Sequence, residues 1–233
     1  MVRLIVLLTF TAGMAATALV VGVLQQSNQQ RIHSALVDAT ERAADTVTKR
    51  IELYQYGLRG ARGAVLASGE HGITRKGFLS YSKTRDVTQE FPGARGFGFI
   101  RRVPAQQQDS FLAQARADGM PDFQIRQLAP HDGERLVIQY IEPVESNRQA
   151  VGLDIASEHN RRSAAMAAMA SGEVRITGPI TLVQATGSPL QSFLILLPIY
   201  RGAITPETLT ARMAQGIGWR ATPPCSPKRC CRA

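Results

Sequence analysis

Residues 4–24, LIVLLTFTAGMAATALVVGVL, contain no charged side chain. A run of about 20 apolar residues is long enough to cross the hydrocarbon core of a bilayer as a helix. The chain must therefore either place this segment in lipid or lose it. Ala16-Thr17-Ala18 has the small-x-small form of a signal-peptidase site, and cleavage would release a chain beginning near Leu19 or Gln25. Against cleavage, the apolar run continues beyond Ala18, and Arg3 alone supplies a positive n-region. An uncleaved anchor over residues 1–24 accounts for both facts. With Arg3 on the cytoplasmic side, the positive-inside rule puts the remainder outside the cell membrane, in the periplasmic or extracellular space.

Residues 25–68 read as one long stalk helix. Ile32, Leu36, Ala39, Ala43, Val47, Ile51, Tyr54 and Leu58 recur in steps of three and four, and no proline interrupts them. That spacing is the apolar stripe of an amphipathic helix. Two uses of the stripe remain open: pairing with a second copy in a homodimer, as heptads do, or packing on the domain that follows. Ala39 and Ala43 are small enough to let a partner helix approach.

Residues 69–137 look like a first small α/β unit. Gly69, Gly72 and Gly77 interrupt the helix, and FPGAR marks a turn. GFGFIRRVP over 96–104 alternates large with small or charged side chains, a strand that Pro104 stops. Asp109 is placed to cap a short helix carrying Phe111, Leu112 and Ala115, which Gly119 ends. FQIRQL (123–128) and RLVIQYI (135–141) flank Asp132-Gly133, a favoured hairpin pair.

Residues 138–216 form a second unit with a more definite order of elements. A strand over 137–141 ends at Glu142-Pro143, since proline has no ladder donor. A second strand is expected over 151–155, with Asp154 at its end. Ser157 is positioned to cap a helix over 158–170, whose Ala164, Ala165, Ala168 and Met169 make a small-residue face. Gly172 sits where a left-handed C-terminal residue belongs. ITGPITLV (176–183) and FLILLPIY (193–200) then read as adjacent strands. The second is apolar throughout and therefore a buried central strand.

This succession, behind a single apolar segment, resembles the CHASE family of extracellular ligand sensors. The resemblance spans residues 80–201, and the stretch from Gln139 to Tyr200 is its specific part. It implies an α+β fold: a transmembrane helix, a long stalk helix, then PAS-like antiparallel-sheet units. It also implies a receptor that binds a small-molecule ligand and signals across the membrane to a histidine kinase of a two-component system or to a cyclic-dinucleotide enzyme. By motif, the pocket residues carried over are Asp154, Ile176, Thr177 and Leu182. Three of the four have a plainer role. Asp154 can cap the turn into the helix, Thr177 can bond its own backbone, and Ile176 can be core.

Enzymatic signatures are missing. Gly96-Phe97-Gly98 lacks the third glycine of a dinucleotide fingerprint, and no Gly-x-Ser-x-Gly elbow occurs. His131-Asp132 has the form of a metal-binding pair, but His33, His71 and His159 lie at no useful spacing. No catalytic residue, metal site or cofactor is expected. The net charge of +9 comes from 27 basic and 18 acidic residues. They are interspersed and accompanied by no nucleic-acid-binding motif. A basic surface facing an anionic membrane or ligand fits better.

The end of the chain breaks the pattern. All three cysteines, Cys225, Cys230 and Cys231, fall in a Pro- and Arg-rich tail. An odd, clustered set staples nothing across a core, and zinc would want a fourth ligand. Residues 217–233 are expected to replace, through a frameshift or a truncated gene, a continuation that would have held the closing strand and a second membrane span. The other reading is a short binding protein, periplasmic or anchored, with a free-thiol tail.

Overall fold

The computed structural model describes residues 1–69, 72–182, 191–202 and 204–223. The chain divides into two units, Met1–Ile51 and Glu52–Ala233.

The first unit lies within α1 (Val2–Ala67), which runs without a break through the expected boundary at Gln25. Its N-terminal part reaches a mean hydropathy of 2.3, and none of that window is buried. Leu4, Leu8, Phe10, Met14 and Leu19 are all exposed around the helix. A helix that is apolar on every side belongs in lipid or in a core rather than at a water-facing surface. This one is long and apolar enough to cross a bilayer. Further along, Ile32, Leu36 and Val47 are exposed as well.

The second unit is built on an antiparallel five-stranded sheet. Its strands are β1 (Phe97–Val103), β2 (Arg135–Glu142), β3 (Arg175–Ile176), β6 (Ile195–Tyr200) and β7 (Gly216–Thr222). They lie in the order β2-β1-β7-β6-β3. A separate hairpin pairs β4 (Ile180–Thr181) with β5 (Gln191–Ser192). Successive strand residues point to opposite faces, and both faces here are covered.

On one face lies the end of α1. Tyr54, Leu58, Ala61 and Val65, four, three and four residues apart, are buried. Tyr54 and Leu58 pack with Phe91, Phe97, Ile195 and Leu197. Val65 packs with Ile73, Phe78, Phe99, Tyr140 and Ile199. The last part of the stripe thus serves its own domain. The helices α2 (Arg75–Lys83) and α3 (Val87–Glu90) follow, capped by Thr74 and Asp86.

The other face holds the larger core, formed by Ile100, Ile138, Leu196 and Trp219 with α4 (Gln108–Ala117) and α5 (His159–Ser171). Ala165, Ala168 and Met169 of α5 have no exposed surface. The small side chains bring the helix close enough for Trp219 Nε1 to donate to the Ala165 carbonyl at 2.8 Å. Gly172 ends α5 at φ 79°, the left-handed cap the sequence called for. All six residues of β6 are buried, as expected. Its Pro198 lies past the end of β3, where the strand has a partner on one side only. The short helix α6 (Leu209–Gln215) leads into β7.

Several expectations are corrected. Residues 123–128 and β2 form no hairpin. One edge of β2 belongs to β1, and the other is taken by residues 152–154 through Ile138 N to Leu153 O and Gly152 N to Ile138 O. Arg126 makes only a single parallel bridge, to Leu153. Residues 151–155 are not a strand either: Gly152 turns at φ 81°, and Asp154 leads into a 3-10 turn at Ile155–Ser157. The N-cap of α5 is Glu158 rather than Ser157, its carboxylate accepting from Asn160 N and Arg161 N. Asp109 sits in the first turn of α4, because a 3-10 turn at Ala105–Gln107 starts that segment earlier. ITGPITLV is split between β3 and β4, and the part beyond Leu182 lies outside the described residues.

The division at 137/138 does not separate two sheets. β1 comes from the first stretch yet sits between β2 and β7. Local patterns mark strands, whereas long-range pairing decides which share a sheet. The closing strand is present: β7 is the middle strand, and Thr222 Oγ1 donates to Gly96 O at 2.8 Å. Cys225, Cys230 and Cys231 lie outside the described residues.

Candidate functional site

Beneath the large-core face, the sheet, the turn at 150–155, the start of α5 and the β4–β5 hairpin enclose a cavity of about 30 Å³. Ile100 and Ile138 form its floor, Leu153 and Ile155 one wall, and Ile180, Leu182 and Leu194 the wall on the hairpin side. Every one of these side chains is buried. In β1, alternation turns Ile100 to this side while its neighbour Phe99 packs in the apolar cluster on the α1 side of the sheet.

One charged residue joins this lining. Arg161 is 3% exposed. Its Nη2 donates to the Thr181 carbonyl at 2.8 Å, fastening α5 to the hairpin. Nε lies 3.9 Å from Glu158 Oε2, outside hydrogen-bond range. Nη1 is buried and meets no acceptor among the described residues. Burial pushes the pKa of this guanidinium down, with partial compensation from Glu158. A cavity that is apolar apart from one unsatisfied cationic donor can hold a small molecule with an apolar body and an acceptor at one end.

The four residues expected at the pocket are dispersed. Leu182 lines the cavity. Ile176 is 41% exposed on β3. Thr177 is buried, but its Oγ1 accepts from Leu194 N at 3.0 Å, fixing the chain between β3 and β4 to the residue just before β6. Asp154 has no exposed surface, and its oxygens are occupied by the protein itself. Oδ1 accepts from Leu136 N at 2.9 Å and Ala156 N at 3.0 Å, and Oδ2 bonds His131 Nε2 at 2.7 Å. Of the two roles the sequence allowed, the geometry displays the cap. Arg161 was not singled out from the sequence, although a signal existed. It precedes Ala164, Ala165 and Ala168 by three, four and seven residues, which places it on the same buried helix face.

A second hollow, about 1070 Å³ and open to solvent, lies near the Val103 end of β1, with Arg101, Arg102, Asp118 and Tyr140 on its walls. Most of its polar groups are already engaged. Arg102 bonds Glu134 and the Met213 carbonyl, and the Tyr140 hydroxyl donates to Asp118, with burial and that carboxylate pushing its pKa up.

A family model described as the CHASE domain matches residues 71–223. The chain belongs to the CHASE domain family. The match takes in every strand of the sheet, both faces of the cavity and β7 to its end. CHASE domains are extracellular sensor domains and not catalytic ones. No curated protein matches the chain.

Proposed function

We propose that this CHASE chain is a membrane-anchored receptor whose cavity beneath the sheet binds a small molecule. On this reading, α1 carries the binding signal through the membrane to a cytoplasmic output domain, a kinase or a cyclic-dinucleotide enzyme. The observation that carries the proposal is the adjacency of Phe99 and Ile100 in β1. Ile100 lines the cavity, whereas Phe99 belongs to the cluster that holds Val65 of α1. A ligand that displaces the cavity floor therefore also displaces the surface on which α1 rests. We read the five-stranded sheet with its covered faces as PAS-like, the arrangement in which ligand and output element lie on opposite sides.

For signalling, the ligand must bind one arrangement of sheet and helix better than another. The test is a small-molecule screen by thermal shift on the full chain in nanodiscs, followed by hydrogen exchange. A true ligand protects the hairpin and α5, alters exchange at residues 52–67, and loses its effect in Leu182→Trp, which fills the cavity. Protection confined to other surfaces, or an unchanged helix at 52–67, would remove this mechanism.

A further inference from the structure

We propose that Arg161 makes the cavity selective for a short-chain carboxylate, an organic acid in the size range of acetate to butyrate. The inference rests on the sensor reading above and specifies its ligand. Two features of the site set the chemistry. The first is size. A water molecule needs about 10–15 Å³ of such space, so about 30 Å³ admits a group of only a few non-hydrogen atoms.

The second is charge. A buried guanidinium with one N–H left unsatisfied is costly, and the cost falls when an anion with a hydrogen-bonding oxygen is brought to it. Glu158 does not fill that role, because its two oxygens cap α5 through Asn160 N and Arg161 N. It also stays 3.9 Å from the guanidinium. Nη2 is committed to Thr181 O, which leaves Nη1 as the donor for an incoming oxygen. The remaining walls, Ile138, Leu153, Ile155 and Leu182, suit an alkyl tail. A carboxylate on Nη1 with a short chain against these side chains satisfies both features, whereas a neutral alkane leaves the donor unmet.

The experiment uses the full chain in detergent micelles, titrated with sodium acetate, propionate and butyrate. Acetamide, propionamide and sodium chloride at matched concentrations are the controls, read by calorimetry and melting temperature. The acids are expected to bind and raise the melting temperature, with little response to the amides or to chloride. Arg161→Gln should weaken propionate binding by about tenfold or more, and Arg161→Lys should retain part of it. Equal binding of amides and acids, an unchanged affinity in Arg161→Gln, or no binding of any acid would overturn the assignment. Should the glutamine variant not fold, the acid–amide contrast on the unaltered chain decides. If the acids fail while some other compound stabilises the chain and is blocked by Leu182→Trp, the ligand class is wrong and the sensor reading stands. If nothing binds, both fall.

Discussion

Asp154 Oδ2 and His131 Nε2 lie 2.7 Å apart, with the carboxylate side chain fully buried and the imidazole almost so. Around this contact the chain is tied at three places: the loop before β2, the first residues of β2, and the turn into α5. Removing the carboxylate strands Leu136 N and Ala156 N together with the histidine. Asp154→Ala should destabilise the domain by about 3 kcal/mol or more, since each buried group left unsatisfied costs about 1–3 kcal/mol. Asp154→Asn keeps an acceptor and should cost distinctly less. Urea unfolding of the two variants checks the order; a folded, fully stable alanine variant would refute the structural role.

Gly152 sits at φ 81°, and a β-carbon there would collide with the Gln124 carbonyl oxygen. Left-handed backbone strain and overpacking each cost about 1–3 kcal/mol. Gly152→Ala should therefore lower stability by about 3 kcal/mol, whereas Gly63→Ala, with open space around it, should be neutral or stabilising. Parallel thermal melts of the two variants test the contrast.

Arg220 is the least comfortable residue in the domain. It has no exposed surface, and none of its three guanidinium nitrogens meets a partner among the described residues. It lies 4.6 Å over the Phe78 ring, and burial pulls its pKa down to about 9. Apolar replacement of buried charge often stabilises by about 1–4 kcal/mol, so Arg220→Met should raise the melting temperature. A fall would mean that the cation has a role beyond packing.

Trp219→Phe removes the Nε1 donor to Ala165 O and leaves space between α5 and β7. A loss of about 2–4 kcal/mol is expected from the hydrogen bond and the cavity together. Chemical denaturation should show it as a lower midpoint with an unchanged slope.

If α1 pairs with its copy, single cysteines at Ala39 and Ala43 should cross-link between protomers in membranes more readily than one at Asp45. The background would carry serine at Cys225, Cys230 and Cys231. Equal cross-linking at all three positions would argue against a specific helix pair.

The sequence already displayed the elements whose evidence is local. The uncharged run at 4–24, the stripe ending at Leu58, the buried FLILLPIY strand and the glycine at the end of α5 are each written in neighbouring side chains. What the sequence hid was pairing. Nothing in FQIRQL says that the free edge of β2 is already occupied by residues 152–154, and nothing in GIGWRAT announces a middle strand. Of the four residues carried over by resemblance, only Leu182 lines the proposed cavity. Asp154 attracts notice as a carboxylate, yet the backbone N–H groups of Leu136 and Ala156 and the His131 ring occupy its oxygens. Arg161 looks like one surface cation among many until its helix phase is set beside the three alanines that share its face.

The middle strand of the sheet is also the last to be synthesised. Until residue 222 has left the ribosome, β1 and β6 each expose an unpaired edge, and the sheet cannot close on local contacts alone. Pairings as distant as Gly98 with Ala221 predict slow folding. They also predict a nascent chain that depends on whatever shields those edges in the interval. A chain halted before Gly216 would therefore emerge as two open sheet edges seeking partners, and its expected fate is aggregation or proteolysis rather than a smaller working sensor.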